Sequence, residues 1–102
     1  KDVILRGGYT IAAGEVEAVL TSHPYVEEAA VIGIPDGDLG EEIGAFVVLQ
    51  DGTKLSDENL MVFCKQNMAS YKYPRVVRIL KELPKGPTGK VEKGDLSPNS
   101  ET

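Results

Sequence analysis

The sequence predicts a small α+β domain: a mixed three-stranded sheet with helices on one face, plus an N-terminal β-hairpin and a C-terminal loop rich in Pro and Gly. Three observations carry this. Residues 29–34 and 43–49 are apolar runs joined by a short polar connection, as neighbouring antiparallel strands would be. Val16, Val19 and Leu20, and later Leu60, Phe63, Cys64, Asn67 and Met68, recur at helical spacing. A last apolar run at 76–80 follows the second helical segment, and a strand, helix, strand order implies a parallel pair with a right-handed crossover.

Each element has a local reason. Val3-Ile4-Leu5 and Tyr9-Thr10-Ile11 flank Gly7-Gly8, a hairpin signal. The first helix runs from Gly14 to Leu20 with Glu15 and Glu17 in its first turn, where the helix dipole favours negative charge. His23-Pro24 ends it, because Pro disfavours the α conformation of the residue before it. The lone histidine, His23, therefore reads as a capping or packing residue rather than a general base. Pro35-Asp36-Gly37-Asp38 predicts a turn, with Gly40-Glu41-Glu42 continuing the connection. Asp51-Gly52 breaks the second strand, and Ser56 is a good N-cap for a helix reaching about Ala69. Cys64 falls on its apolar side and reads as core rather than nucleophile. Tyr71-Lys72-Tyr73-Pro74 is a loop before the third strand, and residues 97–102 read as a polar, disordered tail.

A length of 102 residues allows one domain with a modest core, and 41% hydrophobic with 26% charged residues is ordinary for a globular chain. The net charge of −5 argues against non-specific nucleic-acid binding, which needs basic surface to neutralise phosphates. A local basic patch is nevertheless present: Lys65, Lys72, Arg75, Arg78, Lys81, Lys85, Lys90 and Lys93 fall together late in the chain. A single cysteine excludes an intramolecular disulfide and suits a reducing, cytoplasmic setting. One His and one Cys are too few soft ligands for zinc, so no metal site is expected. Neither a transmembrane run nor a signal-peptide pattern is present. The chain opens without Met, as a fragment or a processed product would.

Chemistry concentrates in Pro84-Lys85-Gly86-Pro87-Thr88-Gly89-Lys90. Two prolines fix φ and remove donors, and two glycines permit φ values other residues resist, so the segment is a shaped loop with Lys90 at its tip. An ordinary solvated surface lysine is the plain alternative. A phosphate-binding P-loop is excluded: only Pro87 and Thr88 separate the glycines, and Val91 follows the lysine.

Taken together, Lys1-Asp2, Arg6-Gly7-Gly8-Tyr9, Glu15-Val16-Glu17, His23-Pro24, Pro35-Asp36 with Gly40-Glu41, Tyr71-Lys72-Tyr73-Pro74-Arg75 and the Lys90 loop resemble the C-terminal domain of adenylate-forming enzymes. That superfamily holds acyl-CoA synthetases, peptide-synthetase adenylation domains and beetle luciferases. The resemblance covers residues 1–96 and is strongest to acyl- or aryl-CoA ligases. It implies a lid domain of a larger, cytoplasmic ATP-dependent acid–thiol ligase, inactive when isolated. An N-terminal adenylation domain would bind ATP, AMP and Mg, and coenzyme A would be the co-substrate.

The resemblance also implies residue roles. Lys90 aligns with the lysine that serves carboxylate adenylation. Lys1 stands at the hinge about which the domain turns between two closed forms. The hairpin Arg6, Gly7, Gly8 and Tyr9 would line the thioester channel, with Gly8 leaving room for pantetheine and Glu15 orienting nearby. Lys72 and Arg75, flanking Pro74, are candidates to meet coenzyme A phosphates; a solvated charged pair is the alternative. Some positions depart from the CoA-ligase pattern. Ala13 stands where those enzymes commonly have Pro, which leaves a carrier-protein-loading adenylation domain as an alternative, with a non-catalytic interaction module as a third. Leu5 replaces a lysine of luciferases.

Overall fold

The computed structural model describes residues 2–100, so Lys1, the expected hinge, lies outside the described residues. The strands are β1 (Val3–Arg6), β2 (Tyr9–Ala12), β3 (Val26–Asp36), β4 (Gly40–Leu49) and β5 (Val76–Ile79); the helices are α1 (Ala13–Thr21) and α2 (Asp57–Asn67), with a 3₁₀ turn at Lys93–Asp95. β4 is the hub. β3 runs antiparallel along one of its edges, from Val26↔Leu49 to Asp36↔Gly40. Its other edge takes β5 in parallel, from Gly44↔Val76 to Val47↔Ile79. The mixed three-stranded sheet, its parallel crossover and the two helices are as the sequence predicts.

The hairpin is more than an appendage. Arg6 pairs with Gly40, which carries β1 and β2 into the same sheet and makes it five-stranded. Pro35-Asp36 also continues β3 instead of forming the expected turn, and Gly40-Glu41-Glu42 begins β4. Pro35 is tolerated because β3 is an edge strand: Pro35 shares the parity of Val31, whose N–H leaves the ladder to reach the Glu17 carboxylate. The true turn is Gly37–Leu39, drawn tight by Asp36 Oδ2, which accepts from the amides of Asp38 and Leu39 at 3.1 and 2.9 Å.

Strand alternation builds two apolar layers. Val31, Ile43, Ala45, Val47 and Val77 point to the helix side, where they meet Val16 and Leu20 of α1, Leu60 and Cys64 of α2, and Ile4 and Ile11 of the hairpin. Ala30, Phe46 and Val48 point the other way and are covered by Leu80, Leu83 and Leu96, with Val91 packed beside them. So helices cover one face and the chain from Leu80 to Leu96 covers the other. Ser56 caps α2 in a reciprocal box with Asn59. Within the segment expected to be a polar tail, the amide of Ser100 donates to the Ser97 carbonyl and Arg78 Nε donates to the Pro98 carbonyl, both at 2.9 Å. Residues 101 and 102 lie outside the described residues. Among the described residues no helix is long and apolar enough to cross a membrane.

Candidate functional site

The loop carrying Lys90 is a small hairpin with defined geometry. Glu92 N–H donates to the Pro84 carbonyl at 2.8 Å, Gly86 N–H to Lys90 at 2.9 Å, and Gly89 N–H to Gly86 at 3.0 Å. The last bond closes a β-turn over Pro87 and Thr88. Among the described residues no non-glycine has positive φ, which excludes type II, and Gly89 at φ +85° then supplies the left-handed step. This is a type I turn with a glycine bulge, and it presents Lys90 at the surface. Pro87 suits its place because its fixed φ pre-forms the first turn position.

The legs of this loop are held while its tip is not. On the entering leg, Leu83 is buried and Lys85 Nζ pairs with Glu28 of β3 at 2.8 Å. On the leaving leg, Val91 packs into the second layer and Lys93 pairs with Asp2 and with Glu17. Burial disfavours the charge on Lys93, yet hydrogen bonds and charges from Asp2 and Glu17 outweigh it and raise its pKa above the ordinary 10.5. Among the described residues, no carboxylate lies within ion-pairing distance of Lys90.

The second cluster gathers the hairpin, the start of α1 and the loop before β5. Gly7 and Gly8 have φ of +55° and +90°, the signature of a type I′ turn, and Gly7 N–H donates to Leu39 O at 2.8 Å. A Cβ on Gly8 would meet nothing within 4 Å, so that flank of the turn opens outward. Tyr9 stacks on Tyr71 with ring centroids 4.1 Å apart. Beside them Lys72 Nζ pairs with Glu15 at 2.8 Å, and that hydrogen bond chiefly raises the lysine pKa. Lys72 is therefore brought to Glu15, 57 residues away in sequence, beside the Tyr9 stack.

Arg6 and Arg75 have other commitments. Arg6 forks onto Glu42, Nε to Oε2 at 2.7 Å and Nη2 to Oε1 at 3.4 Å, with the two side chains only 16% and 14% exposed. Glu42 Oε2 also accepts from the amide of Ile43, so this pair clamps the hairpin to β4. Arg75 donates to the carbonyls of Tyr73 and Ser70 at 2.7 and 2.9 Å and lies over the Tyr73 ring at 3.6 Å. It shapes the loop that presents Lys72. Sequence reasoning missed the partners Glu42, Tyr71 and Glu17; the only available signal was that each sits inside or beside a motif already quoted. His23 Nδ1 accepts from the Tyr25 amide and its ring packs edge-on to Phe63, a packing role. Cys64 is fully buried, and burial pushes its thiol up to about 11. Among the described residues no three His, Cys, Asp or Glu side chains cluster to hold a metal.

The chain is similar to known proteins. Residues 15–90 match the family described as the AMP-binding enzyme C-terminal domain. A crotonobetaine/carnitine–CoA ligase of Proteus mirabilis is 45% identical over 95 residues, which is 93% of this chain and 18% of that protein. The crystal structure of an acyl-CoA synthetase of Brucella canis superposes with a TM-score of 0.85 at 39% identity, covering 92% of this chain and 18% of that one. The amide bond synthetase McbA of Marinactinospora thermotolerans gives 0.86 at 37%, covering 92% and 19%. The chain thus spans less than a fifth of the length of each of these proteins, and on the family match it belongs to the AMP-binding enzyme C-terminal domain family.

Proposed function

We propose that this chain is the mobile C-terminal domain of an AMP-forming acid–thiol ligase, serving two half-reactions in turn with two different loops. In the first, a carboxylate oxygen attacks the α-phosphorus of ATP, pyrophosphate leaves, and an acyl-adenylate forms. In the second, a thiol sulfur, that of coenzyme A, attacks the acyl carbon, loses its proton, and AMP leaves. Nucleotide, acid and Mg would sit in an N-terminal adenylation domain; the described residues here offer no cluster to hold the metal.

The observation that carries the reading is the contrast at the Lys90 loop. Its neighbours Lys85 and Lys93 are tied to carboxylates, whereas Lys90, at the tip, meets none among the described residues. Two anions approach as the carboxylate nears the α-phosphate. A compact cation held there, with water excluded by the closed domain, stabilises the charge that builds and orients the acid. Rotation about Lys1 then withdraws Lys90 and brings the Gly7-Gly8 turn forward, where the open flank of Gly8 leaves space for a pantetheine arm. Lys72 and Glu15 flank that turn, with Lys72 the cation placed to meet a coenzyme A phosphate; Arg75 supports the loop beneath it.

Lys90→Ala in the two-domain enzyme tests this. Acid-dependent ATP–pyrophosphate exchange should fall by about 10²–10³ or more, the cost of losing a preorganised charge, while thioester formation from supplied acyl-adenylate is kept. Equal loss in both halves would refute the division of labour. The acceptor is tested separately. Release of AMP that depends on coenzyme A supports the reading, and dependence on a phosphopantetheinylated carrier protein would favour an adenylation domain that loads carriers. A third outcome, transfer to an amine, is raised by the structural likeness to an amide bond synthetase.

A further inference from the structure

We infer that Lys93 is a positioning residue for the adenylation half-reaction, a strap that locks the Lys90 loop to the entry of the chain and to the edge of the sheet. The inference rests on the reading of Lys90 above and deepens it.

An ammonium carries three N–H donors, and Lys93 finds an acceptor for each: Asp2 Oδ2, Glu17 Oε2 at 2.8 Å and the Val31 carbonyl at 3.0 Å. These acceptors belong to three separate parts of the chain. Asp2 precedes β1, and its carbonyl accepts from the amide of Ala13 at the start of α1. Glu17 is on α1, and the same Oε2 also accepts from the Val31 amide at 2.8 Å. Glu17 and Lys93 therefore satisfy both outward backbone groups of Val31 on the edge strand β3, which otherwise would be open to pairing with another strand.

The geometry has a directional consequence. The hairpin leans on the helix-side layer through Ile4 and Ile11, whereas the Lys90 loop leans on the opposite layer through Leu83 and Val91. Lys93 reaches around the β3 edge and joins the two. It stands three residues after Lys90 and fixes the leaving leg of the loop, as Lys85 on Glu28 fixes the entering leg. Cut the strap, and the leaving leg retains Val91, the more distant Leu96 and the backbone bonds of the turns. The tip then wanders by an amount that matters, since a misplacement of about 1 Å at a reacting centre costs on the order of 10²-fold in rate.

The test uses the two-domain enzyme with Lys93→Met, which keeps the apolar stem and removes the charge, and Lys90→Ala in parallel. For Lys93→Met the kcat of acid-dependent ATP–pyrophosphate exchange should fall by roughly ten- to a hundredfold. KM for ATP and acid should stay within about twofold, because no ground-state contact is lost. Thioester formation from supplied acyl-adenylate should also persist, and Lys93→Arg should restore most of the exchange. Asp2→Ala guards against a fold defect: it cuts the exposed end of the strap, leaves Glu17 on Val31, and should lower exchange several-fold with the unfolding midpoint nearly unchanged. The inference is overturned if Lys93→Met slows both halves equally, or if Asp2→Ala leaves exchange untouched. It is overturned alone if Lys93→Met exchanges normally while Lys90→Ala does not. If Lys90→Ala also exchanges normally, the reading of Lys90 falls as well.

Discussion

Gly8 and Gly89 form a natural matched pair for separating the two half-reactions. Their φ angles are +90° and +85°, and at both positions an added Cβ would meet nothing within 4 Å. Alanine therefore brings no clash within the domain at either site, only the cost of holding an L-residue in left-handed backbone, about 1–2 kcal/mol. For a domain of this size each kcal/mol lowers the unfolding midpoint by roughly 4–8 °C. Gly8→Ala and Gly89→Ala should accordingly shift the midpoint by similar amounts, about 4–16 °C, as read by circular dichroism on thermal unfolding. Their functional effects should diverge. A methyl on Gly8 projects from the open flank of the turn, so thioester formation from supplied acyl-adenylate should drop by about tenfold or more while ATP–pyrophosphate exchange is spared. Alanine at Gly89 distorts the bulge that aims Lys90, so exchange should drop and thioester formation should be kept. Both assays are run well below the midpoints, which removes unfolding as a common cause. Equal losses in both half-reactions for either variant would refute the assignment of one loop to each step.

Two further outcomes follow from the packing. Arg6→Met or Glu42→Gln, each leaving its partner short of its counter-charge at a site only 14–16% exposed, should destabilise by about 1–3 kcal/mol, less than the ~3–5 kcal/mol of a fully buried pair because some water remains. A denaturant double-mutant cycle checks this: the double variant should cost less than the sum of the singles, and strict additivity would show that the clamp carries no energy. Cys64, with its thiol pushed up to about 11, should have about one molecule in a thousand as thiolate at pH 8 and be blocked by packing besides. A thiol reagent at that pH should label it only on unfolding, and rapid labelling of the folded domain would contradict its place in the core.

What was legible in the sequence was whatever repeats over short distances. The apolar run of β4, the helical spacing of Leu60 and Cys64, the Ser56 cap and the Gly7-Gly8 turn are all decided within a few residues. Pro35 misled because proline signals a turn unless the strand lies at an edge, and edge position is a property of the whole sheet. The hairpin's attachment was equally hidden, since it depends on long-range contacts: Arg6 paired with Gly40, the Gly7 amide on Leu39, and an ion pair to Glu42. The cover of the second sheet face escaped for a different reason. Leu83, Val91 and Leu96 follow no period, because an irregular segment meets the sheet wherever its turns allow. The shape of the Lys90 loop was legible through its Pro and Gly residues, but the pairing of Lys93 with Asp2 joins distant parts of the chain, and no local pattern encodes it.

On the proposed reading, the placement of the two loops explains why a domain this small carries so many long-range ties. Each loop leans on a different face of one sheet, so any shear between the faces would change the distance between Lys90 and the Gly7-Gly8 turn. A domain that turns as a body can exchange the two loops at one reaction centre only if that distance is constant. Three ion pairs act against shear from different directions: Arg6–Glu42 pins the hairpin to the hub strand, Lys85–Glu28 pins one leg of the loop to the edge strand, and Lys93–Glu17 ties that edge to α1. The two more exposed pairs, on Lys85 and on Lys93, add little to stability at large. Their effect is geometric: each restricts one sliding motion that the apolar layers, being non-directional, leave open.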